Sequence, residues 1–189
     1  MVVSYLDVIG VLNNSKIRFV LAGAYGLAGW RKESRATEDV GVIVAKQHSK
    51  KATKALTEAF PNLVARDLPV VIRFSDRESD DVIIDVMKPI QQPYCEVFNN
   101  TINVVEGKTK YRIPTLEMAL AMKFSAMTSL YRADEDKFQD AHDFILMVKA
   151  NIDIDDARLK EIGSLMYPDG GKDLLDMVNK VRRGEKLFL

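Results

Sequence analysis

Two aspartates in apolar segments are the residues of this sequence best suited to bind a metal. Asp39 lies in RATEDVGVIV, residues 35–44, where the valines share one face of a predicted strand and Asp39 shares the other face with Gly41. Residues two apart on a strand are roughly 6.6 Å apart, a spacing from which two carboxylates reach a pair of metal ions. Asp85 lies in a second predicted strand, DVIIDVM at 81–87, and can supply a ligand from alongside. Hard oxygen ligands of this kind suit Mg²⁺ beside substrate phosphates.

Gly41 stands where a second carboxylate on the first strand would complete this set. Without it, divalent binding is weaker because an oxygen ligand and a unit of negative charge are lost. Glu38 points to the other face of a regular strand, and Asp81 lies about 13 Å along the strand from Asp85, too far for both to bind one ion. A one-metal site, a site completed by water and a site without catalysis are therefore all open.

Both aspartates also have a structural interpretation. Asp39 can simply end a turn, because ATED is ordinary chemistry at the boundary of a helix or strand. Asp85 lies between apolar neighbours, where an unpaired carboxylate is costly unless it faces a binding site or a partner. Arg73 and Lys123 are the candidate partners for such an ion pair.

A phosphate site is predicted where the apolar strand run IRFVLAG, residues 17–23, stops at Gly23. AYGLAGW can begin a short helix directly after this glycine. The first backbone N–H groups of a helix have no partner within the helix, and the helix dipole favours negative charge there. Such a turn therefore attracts phosphate.

Composition limits the function classes. The 189 residues carry 27 basic and 27 acidic side chains, which argues against non-specific binding of polyanions but leaves local basic clusters free to bind phosphates. The single cysteine excludes an internal disulfide and suits a reducing cytoplasm. No apolar run approaches the roughly 18 residues of a membrane span, and the N-terminus lacks the basic flank of a signal peptide. We expect a cytoplasmic protein with no membrane partner.

The elements divide the chain into a mixed half and a helical half. Apolar spacing and turn residues predict the first half, to about residue 113, to contain helices at 3–13 and 46–60 and strands at 17–23, 35–44, 70–75, 81–87 and 101–113, the last as a hairpin around Glu106-Gly107-Lys108. From Pro114 onward the sequence predicts four helices, at 115–131, 134–150, 153–167 and 171–186. We therefore predict an α/β (α+β) domain, 1–113, with a mixed sheet, and a helical domain, 114–189, that closes one side of the active-site cleft.

The order of these motifs resembles the nucleotidyltransferase fold of the DNA polymerase β-like superfamily. The resemblance rests on Gly23 between strand and helix, on RATEDVGV and IIDVM, and on IPTLEMALAMKFSA and YRADEDKFQDAHDF, and it covers residues 17 to about 145. The most similar branch is that of the minimal nucleotidyltransferases, which includes AbiEii-type toxins. That branch has a glycine pair, an Arg-x-Thr-x-Asp-x-Asp segment, a third acid on a later strand, and a helical lysine followed by an arginine and spaced aspartates.

The resemblance implies a role for each matching residue. Asp39 and Asp85 would be the first and third metal-binding acids. Gly23 would cradle phosphates, together with Ala24 at the position where the family commonly has serine or glycine. Lys123 would contact the triphosphate or orient the site.

The remaining matches lie in the Arg-x-Thr-x-Asp segment and in the helical half. Arg35 and Thr37 would belong to the nucleotide site, where Arg35 could neutralise charge. Arg132, Asp136 and Asp140 match the arginine and the spaced aspartates, and Arg132 would also bind the nucleotide.

The leading functional prediction is transfer of a nucleoside monophosphate from an NTP to an acceptor hydroxyl, with Mg²⁺ as cofactor, impaired to the extent that Gly41 weakens the metal site. The acceptor is open among RNA, protein and small molecule. One alternative is a catalytically degenerate module that binds nucleotide or a partner. Another is an interaction protein, such as one half of a toxin–antitoxin pair with a protein partner.

Overall fold

The computed structural model describes residues 3–33, 37 and 39–187. The α-helices are α1 (Tyr5–Asn14), α2 (Gly23–Arg31), α3 (Ser49–Ala59), α4 (Leu116–Met127), α5 (Asp134–Ala150), α6 (Asp156–Ser164) and α7 (Gly170–Arg182). The strands are β1 (Phe19–Leu21), β2 (Val40–Val44), β3 (Leu63–Asp67), β4 (Val71–Asp76), β5 (Val82–Met87), β6 (Thr101–Glu106) and β7 (Thr109–Pro114). Short 3₁₀ helices occupy Lys46–His48 and Tyr94–Asn99.

The main sheet is mixed, as predicted. Its strand order is β1-β2-β5-β4-β3. The central pair β2–β5 is parallel, and the pairs β1–β2, β4–β5 and β3–β4 are antiparallel. Strand β3 lies within a segment for which the sequence predicted no element, because its residues Leu63–Asp67 combine charges and exposed positions instead of an apolar alternation.

The two faces of β4 and β5 have different environments. Ile72, Phe74, Ile84 and Val86 are buried and form part of the core. The residues between them, which alternate to the opposite face, are only partly buried. Strand β2 is buried at all five positions and lies beside β5, the middle strand of the sheet.

The β6–β7 hairpin turns at Gly107, whose φ of +59° is a conformation that glycine adopts without strain. Tyr5 of α1 and Tyr111 of β7 both donate hydroxyl hydrogen bonds to Glu106, at 2.8 and 3.0 Å. Burial, and after it the hydrogen bond to the charged Glu106, raise the pKa of each tyrosine to about 12. This cluster joins the hairpin to α1.

The chain divides into two compact units, one that extends to Pro114 and one that begins at Thr115 and also takes in Gly29–Glu33. Thr115 caps α4 through its hydroxyl, which accepts a hydrogen bond from the N–H of Met118. Helix α4 ends at Met127, earlier than the predicted residue 131, and Thr128 and Ser129 complete the end of the helix through their backbone N–H groups.

Within the described residues, no helix combines the length and apolarity that a membrane crossing requires.

Candidate functional site

The turn from β1 to α2 is built on two glycines. Gly23 has φ of +60°, in the left-handed region that side chains disfavour. Gly26 packs against the strand so closely that an added Cβ would lie 2.3 Å from the carbonyl oxygen of Leu21. Ala24, the predicted neighbour in the phosphate turn, is buried. The first turn of α2 therefore presents helix N-terminal backbone, the arrangement that favours phosphate.

Asp39 lies immediately before β2 and is partly buried. The hydroxyl of Thr37 donates a 2.7 Å hydrogen bond to its Oδ1. Thr37 is thereby placed beside the predicted metal ligand and orients it without neutralising its charge. Arg35, the third residue predicted in this segment, lies outside the described residues.

Gly41, Asp85 and Arg73 lie side by side on β2, β5 and β4, and we refer to these three residues as the Gly41 row. The guanidinium of Arg73 makes a bidentate pair with the carboxylate of Asp85: Nε donates to Oδ1 and Nη2 donates to Oδ2, each at 3.0 Å. The Asp85 side chain is 20% exposed and that of Arg73 is 41% exposed. The ion pair considered from sequence as an alternative for Asp85 is thus present, with Arg73 as the partner.

Gly41 is buried, and its backbone leaves space for a first side-chain carbon. An added Cβ would lie 3.5 Å from both the Cα and the N of Gly23, which is ordinary van der Waals contact. The glycine is therefore not imposed by a clash at the first side-chain carbon. What the row lacks at this position is a carboxylate.

Lys123 and Arg132 belong to the second unit, where they neutralise two buried aspartates. Lys123 donates 2.7 Å hydrogen bonds to both Asp140 and Asp143. Arg132 pairs with Asp140, and Arg31 donates to Asp143 at 2.8 Å. We call these five residues the buried charge network. The predicted contact of Lys123 and Arg132 with phosphate stays a prediction.

Asp143 is completely buried. Burial acts to raise its pKa, but the charges and hydrogen bonds of Lys123 and Arg31 outweigh burial and hold the pKa below the ordinary value of 3.8. The sequence showed Asp143 only as one of several acids in a helical cluster. Its role was missed because its main partners are 20 and 112 residues away along the chain.

Comparison with known proteins shows which fold the chain shares. No protein-family model and no curated protein matches the sequence. Solved structures do match. An antigenic nucleotidyltransferase-like protein from Paracoccidioides brasiliensis aligns over 90% of this chain and 88% of its own, with a TM-score of 0.53 and 14% identity.

Two antibiotic-modifying proteins align as well. The lincosamide antibiotic adenylyltransferase LnuA, solved with lincomycin bound, covers 77% of this chain and 95% of its own, with a TM-score of 0.50 and 14% identity. ANT(2")-Ia, solved in complex with adenylyl-2"-tobramycin, covers 94% of both chains, with a TM-score of 0.55 and 8% identity.

The chain has a nucleotidyltransferase fold. This confirms the predicted fold class; at these identities the likeness concerns the fold alone and leaves the AbiEii-type branch a prediction.

The metal centre implied by the nucleotidyltransferase fold does not fit the residues at this site. Asp39 and Asp85 are the two acids that the sequence offers, and both oxygens of Asp85 are engaged by Arg73. Gly41 offers no ligand. Throughout the described part of the chain, no group of three or more His, Cys, Asp or Glu side chains is arranged to hold a metal ion. A site for two metal ions requires more anionic oxygen than the described residues of this site present.

Proposed function

We propose that this protein binds a nucleotide through its nucleotidyltransferase fold and that transfer of the nucleoside monophosphate is lost or strongly reduced. The observation that carries the proposal is the Gly41 row, in which one acidic position is glycine and the next acid is paired with arginine.

The phosphate end of the nucleotide is assigned to the Gly23 turn. Gly23 has the left-handed backbone that a tight strand-to-helix turn requires, and Gly26 lets α2 start directly against β1. The first turn of a helix offers N–H donors and a positive dipole end to a phosphate. Thr37 and Asp39 lie at the start of β2, whose Gly41 packs against Gly23.

The charge balance of the site supports binding without a metal. With carboxylates at all three positions, a triphosphate would meet repulsion that metal ions must offset. Here Gly41 removes one negative charge and Arg73 compensates a second, so Asp39 is the acid of the three positions for which the described residues provide no cationic partner. We infer that an NTP is held without Mg²⁺ and that the reacting phosphate lacks the metal-based charge stabilisation needed for transfer.

The competing function is the metal-dependent transferase. It would use Asp39 and Asp85 as ligands of Mg²⁺, with an RNA, protein or small-molecule acceptor. It is favoured by the fold, since adenylyltransferases share it. It requires that Mg²⁺ displace Arg73 from Asp85.

Radiolabelled transfer distinguishes the two functions. Purified wild-type protein is incubated with each labelled NTP, Mg²⁺ and cell extract, beside the restoration variant Gly41→Asp/Arg73→Gln. Its matched control is Gly41→Asn/Arg73→Gln, which has the same side-chain size without the carboxylate.

We expect no labelled product from the wild-type protein and labelled product from the restoration variant alone, because only that variant has three available carboxylates. Asp39→Asn added to the restoration variant should abolish its product. Labelled product from the wild-type protein that Asp39→Asn removes would overturn the proposal in favour of the transferase. The AbiEii-type branch and the toxin–antitoxin role stay predictions.

A further inference from the structure

A second candidate site lies at the other end of β1. A cavity of about 450 Å³ in the first unit is lined by residues at the end of α1, at the start of β1 and on the β6–β7 hairpin. From Arg18 to Gly23 is five residues, or about 16 Å of extended chain. The cavity is therefore separate from the Gly23 turn and has no part in the proposed nucleotide site.

The lining is strongly basic. Arg18, Lys110 and Arg112 contribute three exposed cations, and Asn13, Asn103 and Tyr111 contribute polar groups. Among the described residues that line the cavity there is no carboxylate. The hairpin's own acid, Glu106, accepts hydrogen bonds from two tyrosine hydroxyls. In a chain with no net charge, this concentration of positive charge is local.

Other contacts restrict the Arg18 side chain and the backbone of the hairpin that carries Lys110. The guanidinium of Arg18 lies 4.8 Å from the ring centre of Phe98, a cation–π contact that restricts its position. The side-chain amide of Asn13 donates a 2.9 Å hydrogen bond to the carbonyl of Lys110, which fixes the hairpin to α1. Fewer side-chain conformations are lost when a ligand binds to groups restricted in this way.

The spacing of the cations indicates the kind of anion. Lys110 and Arg112 share one face of β7, about 6.6 Å apart along the strand. This separation is comparable to that of successive phosphates along an extended nucleic-acid strand, and to that of every second phosphate along an inorganic polyphosphate chain. Asn103, the cross-strand partner of Arg112, adds an amide that can donate to phosphate or base.

We propose that this basic cavity binds several phosphates of a linear polyanion at once. The shared chemistry is the phosphate group, which a single-stranded nucleic acid and an inorganic polyphosphate both carry. Arg18, Lys110 and Arg112 each bind one phosphate or bridge two neighbouring phosphates. Binding is electrostatic and releases counterions from the polyanion.

The test is fluorescence anisotropy of a labelled single-stranded oligothymidylate with the full chain, over a series of salt concentrations. The cavity variant is Lys110→Gln/Arg112→Gln. The matched control is Lys51→Gln/Lys54→Gln, which removes two exposed charges from α3 of the same unit. Circular dichroism melting verifies that both variants fold. Unlabelled inorganic polyphosphate and an acidic polyglutamate peptide serve as competitors.

We expect the wild-type protein to bind with a logarithmic salt slope of about −2, from three phosphate contacts at about −0.7 each. The cavity variant should bind about tenfold more weakly and lose about two thirds of the slope, while the control behaves as wild type. Competition by polyphosphate assigns the site to phosphate alone; no competition assigns it to the nucleic-acid strand. No binding by the wild-type protein, equal binding by the cavity variant, or equal competition by polyglutamate would overturn the proposal.

Discussion

At the scale of single residues, the Gly41 row separates this site from a metal-dependent transferase site. A Cβ at Gly41 would make only ordinary van der Waals contacts, so the glycine does not relieve a clash at that carbon, and the position carries no charge. Arg73 provides the positive charge opposite Asp85 that a metal ion would otherwise provide, through two 3.0 Å hydrogen bonds. A guanidinium in place of a divalent cation balances the charge of Asp85, but it cannot coordinate the oxygens of a substrate phosphate as a metal ion does.

The strength of the Arg73–Asp85 pair can be measured by a double-mutant cycle. We expect Arg73→Gln and Asp85→Asn to show a coupling free energy of about 1 kcal/mol in urea unfolding, because the pair is bidentate but partly exposed to water. The control is the neighbouring pair Arg66–Asp80, at 3.2 Å with both side chains more than half exposed. There we expect less than about 0.5 kcal/mol. Equal coupling in the two cycles would refute a special role for Arg73.

The sequence indicated Arg73 and Lys123 as candidate partners of Asp85 but did not distinguish between them. A hairpin between β4 and β5 was predictable from the two apolar runs and the charged connection. The register was not, because a bulge at Phe74/Ser75 shifts the pairing by one residue. Which side chains face each other across a strand depends on that single residue.

At the scale of elements, the buried charge network connects three parts of the second unit: α4, α5 and the last turn of α2. Three cations meet two buried aspartates, and Asp143 lies between Lys123 and Arg31. Removing one member of a buried network leaves its partners without compensation, and that cost exceeds the gain from forming the pair.

Asp143→Asn should lower the free energy of unfolding at neutral pH by about 3 kcal/mol, because Lys123 and Arg31 lose their shared carboxylate. Since the pKa of Asp143 is lowered in the folded state, its stabilisation is present above pH 3.8 and is lost as the pH falls through the folded-state pKa. The wild-type protein should therefore lose stability below about pH 4 more steeply than the variant.

Urea unfolding between neutral and acidic pH makes this measurement. Asp136→Asn, which changes an exposed acid on the same helix, is the matched control and should cost less than about 0.5 kcal/mol. If Asp143→Asn had the same free energy of unfolding as Asp136→Asn, the buried charge network would not stabilise the second unit.

The tyrosine pair on Glu106 makes a second prediction for the elements. Glu106→Gln should lower the pKa of Tyr5 and Tyr111 from about 12 toward the ordinary value of 10, since the charge that opposes their ionisation is gone. They should remain above 10 because burial, the larger cause, is unchanged. Tyr167, with a pKa of about 12 from burial and its bond to Asp173, is the internal control.

Tyrosinate absorbance during alkaline titration follows these groups. In the wild-type protein their stabilisation should be complete below pH 10 and lost as the pH rises through about 12. An unchanged titration curve in Glu106→Gln would show that the hairpin is not tied to α1 through this carboxylate.

At the scale of the whole molecule, the sequence predicted the fold better than the chemistry. The predicted mixed sheet is present, whereas its parallel pair β2–β5 and its strand order were not predicted. Strand β3 was missed because its exposed, charged residues lack the alternation of a half-buried strand. The partners of Asp85 and Asp143 were undecided or missed because they depend on contacts far apart in the chain.

The central claim is that the site binds nucleotide without a metal-dependent reaction. Calorimetric titration of the wild-type protein with a non-hydrolysable NTP, with and without Mg²⁺, tests it most directly. We predict binding with the same Kd in both conditions, and binding strengthened by Mg²⁺ in Gly41→Asp/Arg73→Gln. No binding in either condition, or wild-type binding that requires Mg²⁺, would contradict the account.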